Sequence, residues 1–288
     1  MSSGIAFVNG RYVFKKEAMV NVEDRGYQFA DGVYEVIAVS NSCLIDLDAH
    51  LDRLSRSLSE LEIFWPCKRR VLVLIFAKLL KRNNLKDGII YLQISRGVAN
   101  RNHAFPENTV RSSLVITVSK LGRPSEMKFK EGVKVVTMPE NRWRRPDIKS
   151  ISLLPNVLGK EYAHKNNSFE TWFLDLDQTI TEGSSTNAWI VLPKGELVTR
   201  ELGTKILGGV TRARIIELAR SAGILVTEKS FSLQDALFAE EAFITSTTSL
   251  VMPVIEIDGK TIGSGKPGPV TIKLLKLYEE FCSRGGRE

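Results

Sequence analysis

The chain has 288 residues, 43% of them hydrophobic and 25% charged, with a net charge of +7. This composition fits a globular protein with a sizeable core, in one large domain or two medium ones. No apolar run reaches the roughly 18 residues of a membrane span; the longest, 71–80, is interrupted by Lys78. Residues 1–6 lack a basic region followed by an apolar stretch, so no secretory signal is expected. Three scattered cysteines, Cys43, Cys67 and Cys282, point away from a disulfide framework and towards a reducing, cytoplasmic setting. No Cys/His cluster has zinc spacing. The densest basic stretch, Arg142-Trp143-Arg144-Arg145, is four residues long, and Lys and Arg elsewhere are dispersed among acids. The excess charge therefore suits small anions, with neither nucleic acid nor membrane as partner.

Taken along the chain, Asn9-Gly10 between two short apolar runs predicts a hairpin of 5–8 with 11–14. Residues 33–39 read as a strand, with a turn at Asn41-Ser42 and another strand near Leu44. Asp48 is expected to cap a helix running to Leu61, with Leu51, Leu54, Leu58 and Leu61 at helical spacing. A second helix over 69–83 follows, then strands at 89–96 and 113–119. This half reads as an α+β domain, 1–120. Leu121-Gly122-Arg123-Pro124-Ser125 breaks both regular structures, so 121–126 is the expected linker. Beyond it, strands at 132–138, 169–175, 188–192 and 242–246 alternate with helices at 153–166, 211–222 and 266–284. That makes a larger C-terminal domain, 127–288. No internal repeat or low-complexity tract is evident.

Three stretches carry candidate chemistry. Lys149 in Asp147-Ile148-Lys149-Ser150 sits among apolar neighbours, and a buried lysine becomes a nucleophilic amine suited to Schiff bases. Taken alone, an ordinary solvated lysine is the commoner reading. Thr181-Glu182-Gly183-Ser184-Ser185-Thr186-Asn187 is a small, hydroxyl-rich turn that lets backbone approach a ligand, with Glu182 able to meet a ring nitrogen. A polar surface turn accounts for it as well or better. Leu207-Gly208-Gly209-Val210-Thr211-Arg212 places a Gly-Gly turn before a helix whose free N–H groups suit a phosphate. Thr245-Ser246-Thr247-Thr248-Ser249 is a second such hydroxyl run; a capped helix and a Thr-rich loop explain the pair equally.

In shared order, seven blocks resemble the class IV, or fold-type IV, pyridoxal-phosphate aminotransferases, and most closely the D-amino-acid aminotransferases. They are Glu23-Asp24-Arg25-Gly26-Tyr27-Gln28-Phe29-Ala30-Asp31-Gly32-Val33-Tyr34-Glu35, His50-Leu51-Asp52-Arg53-Leu54, Arg101-Asn102-His103-Ala104-Phe105-Pro106, Asp147-Ile148-Lys149-Ser150, Thr181-Glu182-Gly183-Ser184-Ser185, Gly209-Val210-Thr211-Arg212 and Thr245-Ser246-Thr247-Thr248. The resemblance implies a two-domain α+β / α/β fold whose C-terminal domain has a β-barrel-like core.

It also implies that Lys149 forms the Schiff base with pyridoxal 5'-phosphate and shuttles the proton, and that Glu182 contacts the pyridine nitrogen. Arg53, Thr211 and Thr247 would hold the phosphate, with the N–H groups of Val210 and Thr247, and Leu207 would pack on the ring. Tyr34, Arg101 and His103 would trap the substrate carboxylate, the last two across a homodimer interface. The implied reaction is transamination between a D-amino acid such as D-alanine and a 2-oxo acid such as 2-oxoglutarate. Arg144-Arg145, ahead of the Schiff-base segment, add positive charge that would favour dicarboxylic substrates. Branched-chain aminotransferases, aminodeoxychorismate lyases and amine transaminases share the cofactor domain, and a cofactor-less binding protein on the same scaffold is the non-enzyme alternative. The Arg-x-His pair favours D-amino acids, and the intact Lys149 and Glu182 favour an enzyme.

Overall fold

A computed structural model describes residues 4–107, 109–120 and 124–286. The chain forms two compact units. One comprises Met1–Leu121, Ile148–Ser152 and Ser283–Glu288; the other comprises Gly122–Asp147 and Leu153–Cys282.

The first unit contains β1 (Ile5–Val8), β2 (Arg11–Phe14), α1 (Arg25–Phe29), β3 (Gly32–Ser40), β4 (Cys43–Leu44), α2 (Leu47–Glu60), α3 (Arg69–Arg82), β5 (Gly88–Ser95) and β6 (Ser113–Ser119). The strands form one antiparallel sheet in the order β2-β1-β6-β5-β3-β4. The expected hairpin forms, with Asn9 at φ 44° and Gly10 at φ 91°. Two positive φ values in a two-residue loop match the strand twist, which is why Asn-Gly is favoured there. Alternation along β3 turns Val33, Glu35, Ile37 and Val39 inward, so a carboxylate lies on the core face of a strand. On α2, Leu51, Leu54 and Leu58 pack into that core with Phe76 and Leu79 of α3. Asp48 is not the cap expected of it. It lies within the first turn of α2, and Asp46 occupies the N-cap position in a left-handed conformation, φ 51°.

The second unit contains α4 (Glu126–Glu131), β7 (Val133–Pro139), α5 (Leu154–Lys165), β8 (Glu170–Leu174), β9 (Ile180–Gly183), β10 (Asn187–Val191), β11 (Leu197–Thr199), α6 (Val210–Ser221), β12 (Val226–Glu228), α7 (Leu233–Phe238), β13 (Glu241–Ser246), β14 (Leu250–Ile257), β15 (Lys260–Thr261) and α8 (Pro269–Ser283, its last residue excepted). Its sheet runs β12-β11-β10-β13-β14-β7-β8-β9, with β15 on β14. The sheet curls, and a tight turn closed by the Gly183 N–H on the Thr186 carbonyl at 2.7 Å joins β9 to β10. β8 and β10 are buried almost throughout and so read as short apolar runs.

Of the expected linker 121–126, residues 121–123 lie outside the described residues, and α4 begins at Glu126. The segment Ile148–Ser152 falls within 127–288 in sequence but clusters with the first unit. The physical reason is an available strand edge. The two-residue β4 pairs only with Val39 and Ser40. Near its start, β3 can therefore take the Tyr34 N–H to the Lys149 carbonyl (3.0 Å) and the Ile151 N–H to the Gly32 carbonyl (3.0 Å). Among the described residues, no helix is long and apolar enough to cross a membrane, and no group of three or more His, Cys, Asp or Glu could hold a metal ion.

Candidate active site

In the first unit, the Lys149 N–H donates to Ser57 Oγ on α2 at 3.2 Å, and the Lys149 ammonium lies 4.3 Å from the centroid of the Tyr34 ring. The side chain is half-buried and has no hydrogen bond or ion pair among the described residues. Tyr34 shares its sheet face with Tyr91, stacked at 5.9 Å. Burial pushes the Tyr91 phenol up to about 12.

Beside this segment, Arg53 grips Glu35 with both ends of its fork, Nε to Oε1 at 2.8 Å and Nη2 to Oε2 at 2.7 Å. His50 Nδ1 is 2.7 Å from Glu35 Oε2. Burial pushes His50 below its ordinary value against the pull of Glu35, so the neutral imidazole donates its Nδ1–H. Burial would raise the Glu35 carboxyl, but the Arg53 guanidinium and the hydrogen bonds from Arg53 and His50 hold it at about 2, against an ordinary 4.5. A depressed carboxylate contributes stability above its unfolded value and loses it as the pH falls towards the folded one. The difference here is worth about 3 kcal/mol. Glu35→Gln should therefore lower the unfolding free energy by about 3 kcal/mol at neutral pH. Urea titrations should show the gap to wild type closing between about pH 4.5 and 2; a gap that persisted at the acid end would contradict the ion-pair account.

Arg101 and His103 lie in an exposed stretch, both against Phe29. The Arg101 guanidinium is 4.8 Å from the Phe29 ring centroid and the His103 ring 5.3 Å. The stretch is clamped from behind. Buried Arg25 donates Nη1 to the Asn102 carbonyl at 2.5 Å and to Ala104 at 3.3 Å, with Nη2 to His103 at 3.4 Å. Asp31 holds Arg25 Nε at 2.8 Å and Arg96 Nε at 2.7 Å, tying two guanidinium groups to one carboxylate.

In the second unit, Glu182 on β9 is buried. It accepts from Arg142 Nη1, from Asn187 Nδ2 at 2.9 Å and from the Leu207 N–H, 3.1 Å from each oxygen. Burial pushes its carboxyl up even with Arg142 alongside. A carboxylate has about four lone-pair sites, so three donors leave capacity for one more. At α6, Gly209 occupies the N-cap position with no side-chain cap, and the first intrahelical bond runs from the Ala213 N–H to the Gly209 carbonyl. The Val210 and Thr211 N–H groups thus face outward from a positive helix end. A Cβ on Gly209 would come within 2.0 Å of Asn187 Oδ1, so only glycine fits beside that side chain. Thr247 lies in the turn between β13 and β14, where Ser246 Oγ accepts the Ser249 N–H at 3.0 Å.

Lys149, Arg53, Tyr34, Arg101 and His103 thus belong to the first unit, and Glu182, Leu207, Val210, Thr211 and Thr247 to the second. Arg145 is spent on Asp147 at 3.0 and 3.1 Å, while Arg144 is exposed. Sequence reasoning missed four supporting groups. Arg142 appeared only as part of a basic run, and Glu140, Glu170 and Asp31 received no role. Buried Glu170 takes Ser184 Oγ, Ser185 Oγ at 2.9 Å and Thr186 Oγ1 at 3.3 Å, which holds the turn after Glu182 in shape. Hydroxyl-rich turns signal a hydrogen-bond demand but do not name the acceptor that meets it.

The architecture is that of the fold-type IV aminotransferases. The branched-chain amino acid aminotransferase of Escherichia coli superposes with a TM-score of 0.92 at 23% identity, covering 100% of this chain and 97% of that one. The branched-chain aminotransferase of the archaeon Thermoproteus uzoniensis, solved with norvaline, gives 0.87 at 26%, covering 100% and 97%. The family model of amino-transferase class IV matches residues 32–257, and the chain belongs to this family. It is also similar to the D-alanine aminotransferase of Listeria innocua, 39% identical over 278 residues, 96% of each chain.

Proposed function

We propose that this aminotransferase moves an amino group between a D-amino acid, with D-alanine as the type substrate, and a 2-oxo acid, using pyridoxal 5'-phosphate. The observation that carries the reading is the 39% identity to a D-alanine aminotransferase over 96% of both chains. The residues present suit the cofactor. Among the described residues, Lys149 offers an amine held by no ion pair, Glu182 a buried carboxylate with capacity for one more donor, and α6 an N-terminus without a side-chain cap.

When bound, pyridoxal phosphate supplies an electron sink for negative charge at the substrate Cα. Lys149 would hold the cofactor through Nζ and serve as the general base for the proton at the substrate Cα. Glu182 would accept a hydrogen bond from the ring nitrogen. The Val210, Thr211 and Thr247 groups, and the Arg53 guanidinium kept in place by Glu35, would each offer donors to phosphate. Leu207 would pack on the ring. Tyr34, Arg101 and His103 bind the substrate carboxylate, the Arg25–Asp31 clamp holding the backbone of that stretch. The last two serve the site of a partner subunit in a homodimer.

The purified protein should absorb near about 420 nm, as a protonated lysine adduct of the cofactor does. D-alanine with 2-oxoglutarate should turn over, and L-alanine or a branched-chain L-amino acid hardly at all. Equal rates on D- and L-alanine would remove the D-specific reading and leave only the family.

A further inference from the structure

The second unit holds a buried charge cluster that the roles above leave unused. Arg142 is almost wholly buried and presents five N–H donors in a rigid fork. Nε and Nη2 clasp Glu140 at 2.9 and 2.6 Å. Nη2 also reaches Thr181 Oγ1 at 3.3 Å and the Lys205 carbonyl at 3.4 Å. Glu140 is itself tied down, since Thr181 Oγ1 donates to it at 2.8 Å. The guanidinium lies 4.9 Å from the Phe173 ring centroid. With one edge of the fork committed to Glu140, Nη1 is left aimed at Glu182 Oε1.

We infer that Arg142 is a positioning residue: it fixes the Glu182 carboxylate and supplies the positive charge behind it, and so sets how strongly this half-site prefers a ring nitrogen over a ring carbon in its cofactor. The inference rests on the proposed contact between Glu182 and the ring nitrogen. Its physical basis is the cost of a buried, unpaired carboxylate, which takes up a proton rather than stay charged. Of the three donors to Glu182 among the described residues, Arg142 carries charge, whereas Asn187 and the Leu207 N–H are neutral. Burial pushes the Glu182 carboxyl upward and the guanidinium opposes that push, so losing Arg142 removes an opposing charge. Burial would lower Arg142 in turn, but Glu182 and Glu140 outweigh it and keep it protonated. A protonated Glu182 would have one less acceptor site and no charge to hold a proton on a ring nitrogen.

The test is a binding comparison that needs no turnover. The full-length chain, stripped of cofactor, is titrated by tryptophan fluorescence with pyridoxal phosphate and with its 1-deaza analogue, in which a C–H replaces the ring nitrogen. Both ligands keep the aldehyde and the phosphate, so contributions from Lys149 and the phosphate groups cancel in the ratio of affinities. Wild type should prefer pyridoxal phosphate by about tenfold or more, the usual worth of a hydrogen bond to a charged group. Arg142→Gln should bring the ratio to within about twofold with little change for the analogue, and Arg142→Lys should restore part of it. Glu140→Gln leaves the Glu182 contact atoms intact but loosens the fork; it should lower the ratio partway and serves if Arg142→Gln does not fold. A ratio unchanged in both Arg142→Gln and Glu140→Gln, or equal weakening of both ligands, would overturn the inference, the latter marking a merely structural arginine. A wild type with no preference would instead overturn the reading of Glu182 itself.

Discussion

Lys149→Ala is expected to cut kcat by about 10^4-fold or more, because the residue is assigned both the covalent hold on the cofactor and the proton transfer at Cα. The substitution should leave the fold intact. The Lys149 backbone, not its side chain, makes the bonds to β3 and to Ser57, and the side-chain amine lies over the face of Tyr34. Thermal unfolding should therefore stay within a few degrees of wild type, while the absorbance near about 420 nm disappears. Added small primary amines should recover a little turnover by replacing the missing base. A variant with normal turnover and an unchanged visible band would move the Schiff-base role to another lysine.

Glu182→Gln is expected to lower kcat by about 10^2- to 10^3-fold, the scale of removing one preorganised electrostatic partner. The amide keeps the shape and can still accept from the Leu207 N–H, but it places an NH2 group where a carboxylate oxygen faced a donor. Arg142 would keep its fork on Glu140 and lose its second counter-charge. Stability should fall as well, by about 1–3 kcal/mol, since a buried donor loses its acceptor. The two effects separate by measurement: single-turnover rates report the chemical step, and urea unfolding of the cofactor-free chain reports the fold. A variant with wild-type kcat would make Glu182 a turn residue held by Arg142, with no part in the reaction.

Local signals carried far where a residue answers to its near neighbours. Asn9-Gly10 demands a two-residue hairpin because both positions adopt positive φ, and the strands on either side fall where expected. The leucine spacing of α2 and the apolar runs of β3, β5 and β6 place those elements to within a residue or two. The boundary of α2 was misread because Asp48 and Asp46 are both acceptable near a helix start, and propensity alone does not choose between them. β9 falls partly where the sequence reads as a turn. Its polar Thr181 and Glu182 are buried by a hydrogen-bond network centred on Arg142 and Glu140, and hydrophobic periodicity does not register burial of that kind.

The sequence by itself determined the family, because blocks such as Asp147-Ile148-Lys149-Ser150 and Thr181-Glu182-Gly183 keep their order along the chain. Tertiary structure alone decided what stands behind those residues. Glu35 reads as one polar residue in an apolar strand, and only the folded unit shows it gripped by Arg53 and His50 of a helix packed on that strand's core face. Arg142 reads as part of a solvated basic run. Folding buries it between Glu140 and Glu182, and a buried charge is tolerated only where its counter-charges converge from distant points of the chain. Such convergence is a property of three-dimensional packing, and no spacing along the sequence encodes it.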